Sequence, residues 1–230
     1  VTFSELDSYV NQCCSFLKKQ GLVYGDTLTL NIENSISSII IYLSAIRSGI
    51  VINPSPSSLS ANELVKHVTY IKSDMVITSK ELKEISLKHN FSYMKFINDD
   101  KFISKISFFS ADIFKQDIVS SNVACIYYSS GTTGNSKYVL YSHKNMITLA
   151  GCIAKTFQFT SDTKHLGVLP LGHTAIINYQ FLPTLYVGAT ILLVENFNQI
   201  RSNIWKIIRD EKINYIQMVP TLIFTMLATE

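Results

Sequence analysis

The chain reads as an α/β protein of layered, mostly parallel sheets covered by helices. Segments with helical periodicity alternate with short apolar runs, the pattern of strands buried on both faces. Glycine or proline stands at most of the junctions, at Gly21, Gly25, Gly49, Pro54, Pro56 and Gly188. With 230 residues, 47% hydrophobic and 16% charged, there is enough apolar surface for extensive buried sheet or for a surface that expects covering.

Residues 2–20 carry Phe3, Leu6, Val10, Cys13 or Cys14, and Leu17 at helical spacing, with Ser4 as the expected cap and Gly21 as the stop. Gly25-Asp26 then turns the chain into an alternating strand over 27–32. A second helix spans 35–48 and closes on Gly49. A strand over 50–53 is halted by Pro54 and Pro56. Ser60 followed by Glu63 signals a capping box ahead of the helix in SANELVKHVTYI, and 74–79 reads as the next strand. Residues 83–121 are rich in Lys, Ser, Asn and Asp with poor periodicity, so the expectation there is a surface connection with one strand near 93–97.

The apolar run 122–128 (NVACIYY) is a strand, and 138–141 is another that leaves the following turn. Ser142 is the expected cap of a helix over 143–157. The segment HLGVLPLGHTA, from His165 to Ala175, holds a strand ending in Pro170 that delivers His173 past its C-terminal end. Then FLPTLYVGATILLVENFN gives a helix, a Gly188 turn and a strand. Residues 203–212 form a helix with an Ile204, Ile207, Ile208 stripe, 215–219 a strand, and Pro220 opens a last helix. Two subdomains are expected: 1–121, with a variable connection at about 83–121, and 122–230.

Several function classes fall away. A net charge of +3, with 20 basic residues scattered along the chain, gives no nucleic-acid footprint. Cys13, Cys14, Cys125 and Cys152 show no CxxC spacing and no zinc cluster, which fits reduced thiols in the cytoplasm. No basic-then-apolar signal opens the chain. Residues 175–194 lack charge but contain Asn178, Gln180, Pro183 and Gly188, so they read as buried core and not as a membrane span.

The strongest chemical signal is YYSSGTTGNSK, from Tyr127 to Lys137. Glycines let backbone N–H groups approach a ligand, while the hydroxyls of Ser129, Ser130, Thr132 and Thr133 and one ammonium add donors, so the loop suits an anion such as phosphate. An ordinary polar turn also uses Ser, Thr and Gly. A Walker A loop is excluded by spacing, since two residues separate Gly131 from Gly134 and no glycine precedes Lys137. An unrelated phosphotransferase of that class is therefore disfavoured.

Residues 128–137 resemble the phosphate-binding loop of adenylate-forming enzymes: acyl- and aryl-CoA ligases, luciferases and peptide-synthetase adenylation domains. The family pattern is roughly Tyr-Ser-Ser-Gly-Thr-Thr-Gly-x-Pro-Lys-Gly, and the chain departs from it at Ser136 and Tyr138. Asn53, Pro54, Ser60, Glu63 and Leu64 match an earlier family segment, the Pro-Leu-Gly-His at 170–173 matches its Pro-Leu/Met-x-His, and His143 follows its Thr/Ser-His pair. Local side-chain to backbone bonding would account for His143 without chemistry.

The resemblance implies an incomplete N-terminal part of an adenylate-forming domain. A carboxylate would attack the α-phosphorus of ATP, giving an acyl- or aryl-adenylate and pyrophosphate. A thiol, from CoA or a carrier protein's phosphopantetheine, would then displace AMP. Ser129, Ser130, Gly131, Thr132, Thr133 and Gly134 would hold the phosphates, Lys137 would add a point charge, and His173 would border the acid pocket and help guide the second half-reaction. Mg2+ would bridge phosphate oxygens, with its protein ligand outside this chain. The family's later adenine, ribose and magnesium contacts have no counterpart here, so the chain alone is expected to be inactive. The alternative is a non-catalytic, truncated member that serves as a binding or scaffolding module. The Ser-Lys pair, LPLGH and LYVGAT lean slightly toward aryl acids over fatty acids.

Overall fold

The structure is a computed structural model that describes residues 1–89, 91–129 and 137–228. Two compact units emerge, one of residues 1–32 and 36–143, the other of 33–35 and 144–230.

The first unit is a six-stranded sheet flanked by helices, with strand order β4-β3-β1-β2-β5-β6. Helix α1 (Phe3–Lys19) opens it, and its cap is Thr2 instead of Ser4. The Thr2 hydroxyl accepts from the Glu5 backbone N–H at 3.2 Å while the Glu5 carboxylate accepts from the Thr2 N–H at 2.7 Å. Only the Thr-x-x-Glu spacing allows that reciprocal pair, so Ser4 falls inside the first turn. Strand β1 (Thr27–Asn31), helix α2 (Ile36–Ser48), strand β2 (Val51–Pro54), helix α3 (Ala61–Ile71) and strand β3 (Met75–Thr78) follow in the expected order. Ser60 and Glu63 form the expected capping box on α3.

The connection after β3 is more ordered than its composition suggests. It contains α4 (Lys83–His89), β4 (Ser92–Lys95) and α5 (Asp99–Ile106). The Asn98 side chain caps α5, and Phe102 and Ile106 are buried, with the Phe102 ring edge-on to Phe16 of α1 at 6.0 Å. Two buried side chains in eight residues leave a weak periodic signal, and tertiary contact supplies the rest.

β1 pairs in parallel with β2 and β3, β2 with β5 (Val123–Ser129), and β3 with β4. The exception is β6 (Lys137–Ser142), which runs antiparallel to β5 at the edge of the sheet. One sheet face carries Leu28, Leu30, Ile52, Met75 and Ile77, all buried. The other carries Thr29, Asn31, Asn53 and Thr78, which are buried as well. These polar groups satisfy one another: Thr78 Oγ1 donates to Asn31 Oδ1 at 2.9 Å, and Asn31 Nδ2 donates to the Pro56 carbonyl at 2.6 Å. On that face Val76 of β3 packs with Leu64, Val65 and Val68 of α3.

The second unit holds a parallel three-stranded sheet of order β8-β7-β9. It is entered through α6 (His143–Thr156), which follows β6 with no intervening residue. After β7 (Lys164–Gly167) come a short turn α7 (Thr174–Ile176), a π-helical turn (Ile177–Phe181) and α8 (Leu182–Val187). Strand β8 (Thr190–Leu193), α9 (Phe197–Ile200), α10 (Ile204–Asp210), β9 (Tyr215–Ile216) and α11 (Pro220–Leu227) complete it. Strands β7 and β9 are shorter than the sequence suggests. The 175–194 stretch is the expected helix and strand split at Gly188, and among the described residues no helix is long and apolar enough to cross a membrane.

Candidate active site

Strand β5 ends at Ser129 and β6 begins at Lys137, and these two residues face each other as the last pair of the antiparallel ladder. The strand leaving the loop thus pairs back onto the strand that enters it. Ser130, Gly131, Thr132, Thr133, Gly134 and Ser136 lie outside the described residues, as does the side chain of Ser129. Lys137 carries an exposed side chain. The loop leaves the carboxyl end of β5, the end at which open parallel sheets receive ligands.

Two sets of aromatic and polar contacts support this stem. Tyr127 is buried, its hydroxyl 3.2 Å from that of Tyr42 and its ring edge-on to Tyr141 at 5.0 Å. Burial pushes both phenols well above their ordinary range and the neighbouring Cys125 thiol up to about 12. On the polar face, Tyr138 lies opposite Tyr128 in the ladder and stacks on Tyr70 at 4.7 Å. Its hydroxyl is 3.1 Å from Nδ1 of His67, whose Nε2 is 2.6 Å from Asn53 Oδ1. Neither His67 nor Asn53 stood out as a site residue in the sequence. The signal that could have found them is the pair of polar residues placed among the apolar positions of β2 and α3.

The His173 segment belongs to the second unit. It follows the carboxyl end of β7, and its conformation is set by Asn34. The Asn34 amide donates to the carbonyls of Leu169 (2.9 Å) and Val194 (3.0 Å), and its Oδ1 accepts from the Leu171 N–H at 2.7 Å. One buried side chain thereby satisfies the two backbone groups that flank Pro170 and a third just after β8. His173 turns back with its N–H on the Pro170 carbonyl at 2.9 Å, and its side chain is exposed. Partial desolvation lowers its pKa, an effect that solvent screens at so open a position. The π-helical turn lies just beyond it, with Asn178 and Gln180 buried and Gln180 Nε2 donating to the Leu166 carbonyl at 2.9 Å.

The other histidines separate cleanly. His143 is half-buried at the start of α6, its N–H bonded to the Asn122 carbonyl at 3.2 Å, and burial lowers its pKa. His165 is fully buried among the rings of Phe159 and Tyr215. Among the described residues, no group of three or more His, Cys, Asp or Glu side chains could hold a metal ion.

The family of AMP-binding enzymes matches residues 1–230. A 4-coumarate–CoA ligase-like protein of Arabidopsis thaliana is 29% identical over 226 residues, covering 90% of this chain and 39% of the plant protein. Tyrocidine synthase 3 of Brevibacillus parabrevis is 23% identical over 224 residues, covering 97% of this chain and 3% of the synthase. The crystal structure of ATP-bound MatB from Rhodopseudomonas palustris superposes with a TM-score of 0.89 at 22% identity, over 98% of this chain and 45% of MatB. The chain thus spans less than half the length of each of these proteins. With its match running from the first residue to the last, the chain belongs to the family of AMP-binding enzymes.

Proposed function

We propose that this chain supplies the phosphate loop and part of the acid pocket of an ATP-dependent carboxylic acid ligase. The complete protein would form an acyl- or aryl-adenylate and pyrophosphate, then a thioester with CoA or a carrier protein. The observation that carries the reading is the Ser129–Lys137 pair, which closes the stem of a serine-, threonine- and glycine-rich loop at the carboxyl end of β5 in a family member.

Negative charge builds on the departing pyrophosphate, so the protein's task is positioning and charge neutralisation. Ser129, Ser130, Thr132 and Thr133 would donate hydroxyl hydrogen bonds to the phosphates, with the backbone N–H groups of Gly131 and Gly134 beside them. Lys137, at the first position of β6, would bring its ammonium to the same oxygens. His173 would border the acid, held in place through Asn34. Magnesium, when bound with ATP, would screen the phosphate charge. The carboxylic acid would be small, with aryl acids slightly preferred, and the setting would be the cytoplasm.

The test is carboxylate-dependent exchange of pyrophosphate into ATP, run on the complete protein and on residues 1–230 alone. The complete protein should exchange, and Lys137→Ala should slow it on the order of 10²-fold, the usual loss for one transition-state charge partner. Residues 1–230 alone should bind ATP poorly and give no exchange. Undiminished exchange in Lys137→Ala would remove the lysine from the mechanism. Exchange by residues 1–230 would overturn the view that the chain is one part of the site. A complete protein that binds acid or ATP without exchange would instead favour a non-catalytic binding module, a reading to which the Ser136 and Tyr138 departures also point.

A further inference from the structure

The hydrogen-bond roles around His67 follow from one fixed donor. Asn53 Nδ2 donates to the Ile126 carbonyl of β5 at 2.7 Å, which turns Asn53 Oδ1 toward the histidine. That oxygen has no proton, so His67 Nε2 carries one and donates across 2.6 Å. Burial keeps the imidazole neutral, with its pKa down at about 4, so Nδ1 is a bare acceptor. The Tyr138 hydroxyl therefore donates to Nδ1 across 3.1 Å. The result is a directed chain of hydrogen bonds, from Tyr138 on β6 through His67 on α3 and Asn53 on β2 to the backbone of β5. It begins one residue after Lys137 and ends three residues before Ser129.

We infer that Tyr138, His67 and Asn53 act as a brace that sets the position of Lys137 at the foot of the phosphate loop, making Tyr138 and His67 positioning residues for ATP. The inference rests on the proposed ligase reading. An edge strand held only by its ladder is free to fray at its first pair. Here the first residues of β6 are tied a second time, to groups buried beneath the sheet. Tyr138 stands where the family pattern carries glycine, a residue with no side chain to make this tie. The rings add a stop in the other direction, because Tyr138 is packed between Tyr70, at 4.7 Å, and Tyr128, at 5.8 Å.

Tyr138→Phe in the complete protein keeps both ring contacts and removes only the donor. The KM for ATP should rise about five- to tenfold, the factor of one ordinary hydrogen bond. The kcat should fall by a similar factor, because Lys137 also meets the charge on the departing phosphates, while the KM for the acid should stay within twofold. Amide hydrogen exchange at residues 137–139 should quicken by a similar factor, a readout independent of turnover. His67→Phe should reproduce the effect on ATP, and the double variant should be no worse than His67→Phe alone. Unchanged exchange at 137–139 in Tyr138→Phe overturns the brace, as does an equal loss in every kinetic parameter. If Lys137→Ala is impaired while Tyr138→Phe matches the parent, the ligase reading stands and the brace falls. If the parent shows no carboxylate-dependent exchange, the ligase reading falls and the amide measurement still decides the brace.

Discussion

His165 sits on the central strand of the three-stranded sheet with no exposed surface, and among the described residues neither ring nitrogen has a hydrogen-bond partner. Its neighbours are the edges and faces of Phe159 and Tyr215, at 4.6 and 4.9 Å between ring centres. Such a site has nothing to stabilise an imidazolium, and desolvation takes the pKa from 6.5 down to about 4. His67 behaves alike. The unfolded chain then binds more protons than the folded one between those two values. The stability contributed by each neutral ring is complete above pH 6.5 and is lost as pH falls toward 4. A shift of that size corresponds to about 3 kcal/mol per histidine at full effect. Urea midpoints at pH 7 and pH 4.5 should differ accordingly, and His165→Leu should reduce the difference by roughly half. A midpoint equally pH-dependent in the variant would show that His165 carries none of it. Nothing in the residues around His165 in the sequence gives it a role. It could not show the ring contacts, because Phe159, His165 and Tyr215 are brought together only when β7 pairs with β9.

At the level of the elements, the turns obey two different constraints. Gly49 and Gly188 both end helices with left-handed backbone, at φ of 70° and 71°. A side chain at either position costs on the order of 1 kcal/mol in backbone strain. Only Gly49 is also crowded, since an added Cβ would collide with the Tyr24 ring and lie 3.1 Å from Ile118 Cδ1, whereas Gly188 faces open space. Gly49→Ala should therefore cost at least ~1 kcal/mol more than Gly188→Ala in chemical denaturation. Equal losses would mean that Tyr24 moves aside freely. Both helix stops were legible, because glycine after a periodic run has one common meaning. The start of α1 was not, since Thr2, Ser4 and Asp7 all suit a cap and only the Glu5 bonds decide among them. Helices α4 and α5 were missed for a related reason: each is short, and what holds α5 is Phe16 on a helix far away in sequence.

Across the whole molecule, the alternation of helix and strand was enough to read a parallel sheet covered on both sides. The order of strands was not available from it, because a sheet of order β4-β3-β1-β2-β5-β6 depends on crossovers between distant segments. The same division runs through the candidate site. Its loop and its Pro-Leu-Gly-His segment were visible as local patterns, while Asn34, Asn53 and His67 hold those patterns from 71 to 160 residues away. Buried polar residues at strand positions look, in sequence, like the solvent face of a half-exposed sheet. In the fold they form a hydrogen-bonded layer beneath α3.

The antiparallel placement of β6 has a consequence for handling the chain by itself. Among the described residues no further strand joins the outer rim of β6, and Val139 and Leu140 are 47% and 59% exposed. A rim of this kind is a template for strand addition from another molecule. Residues 1–230 alone should form soluble oligomers that grow with concentration in light scattering, and Leu140→Lys should keep them monomeric by placing a charge on the rim. Monomers at every concentration would show that the rim is protected. The strand that fixes Lys137 is thus also the strand through which a lone copy of this chain would stick to the next.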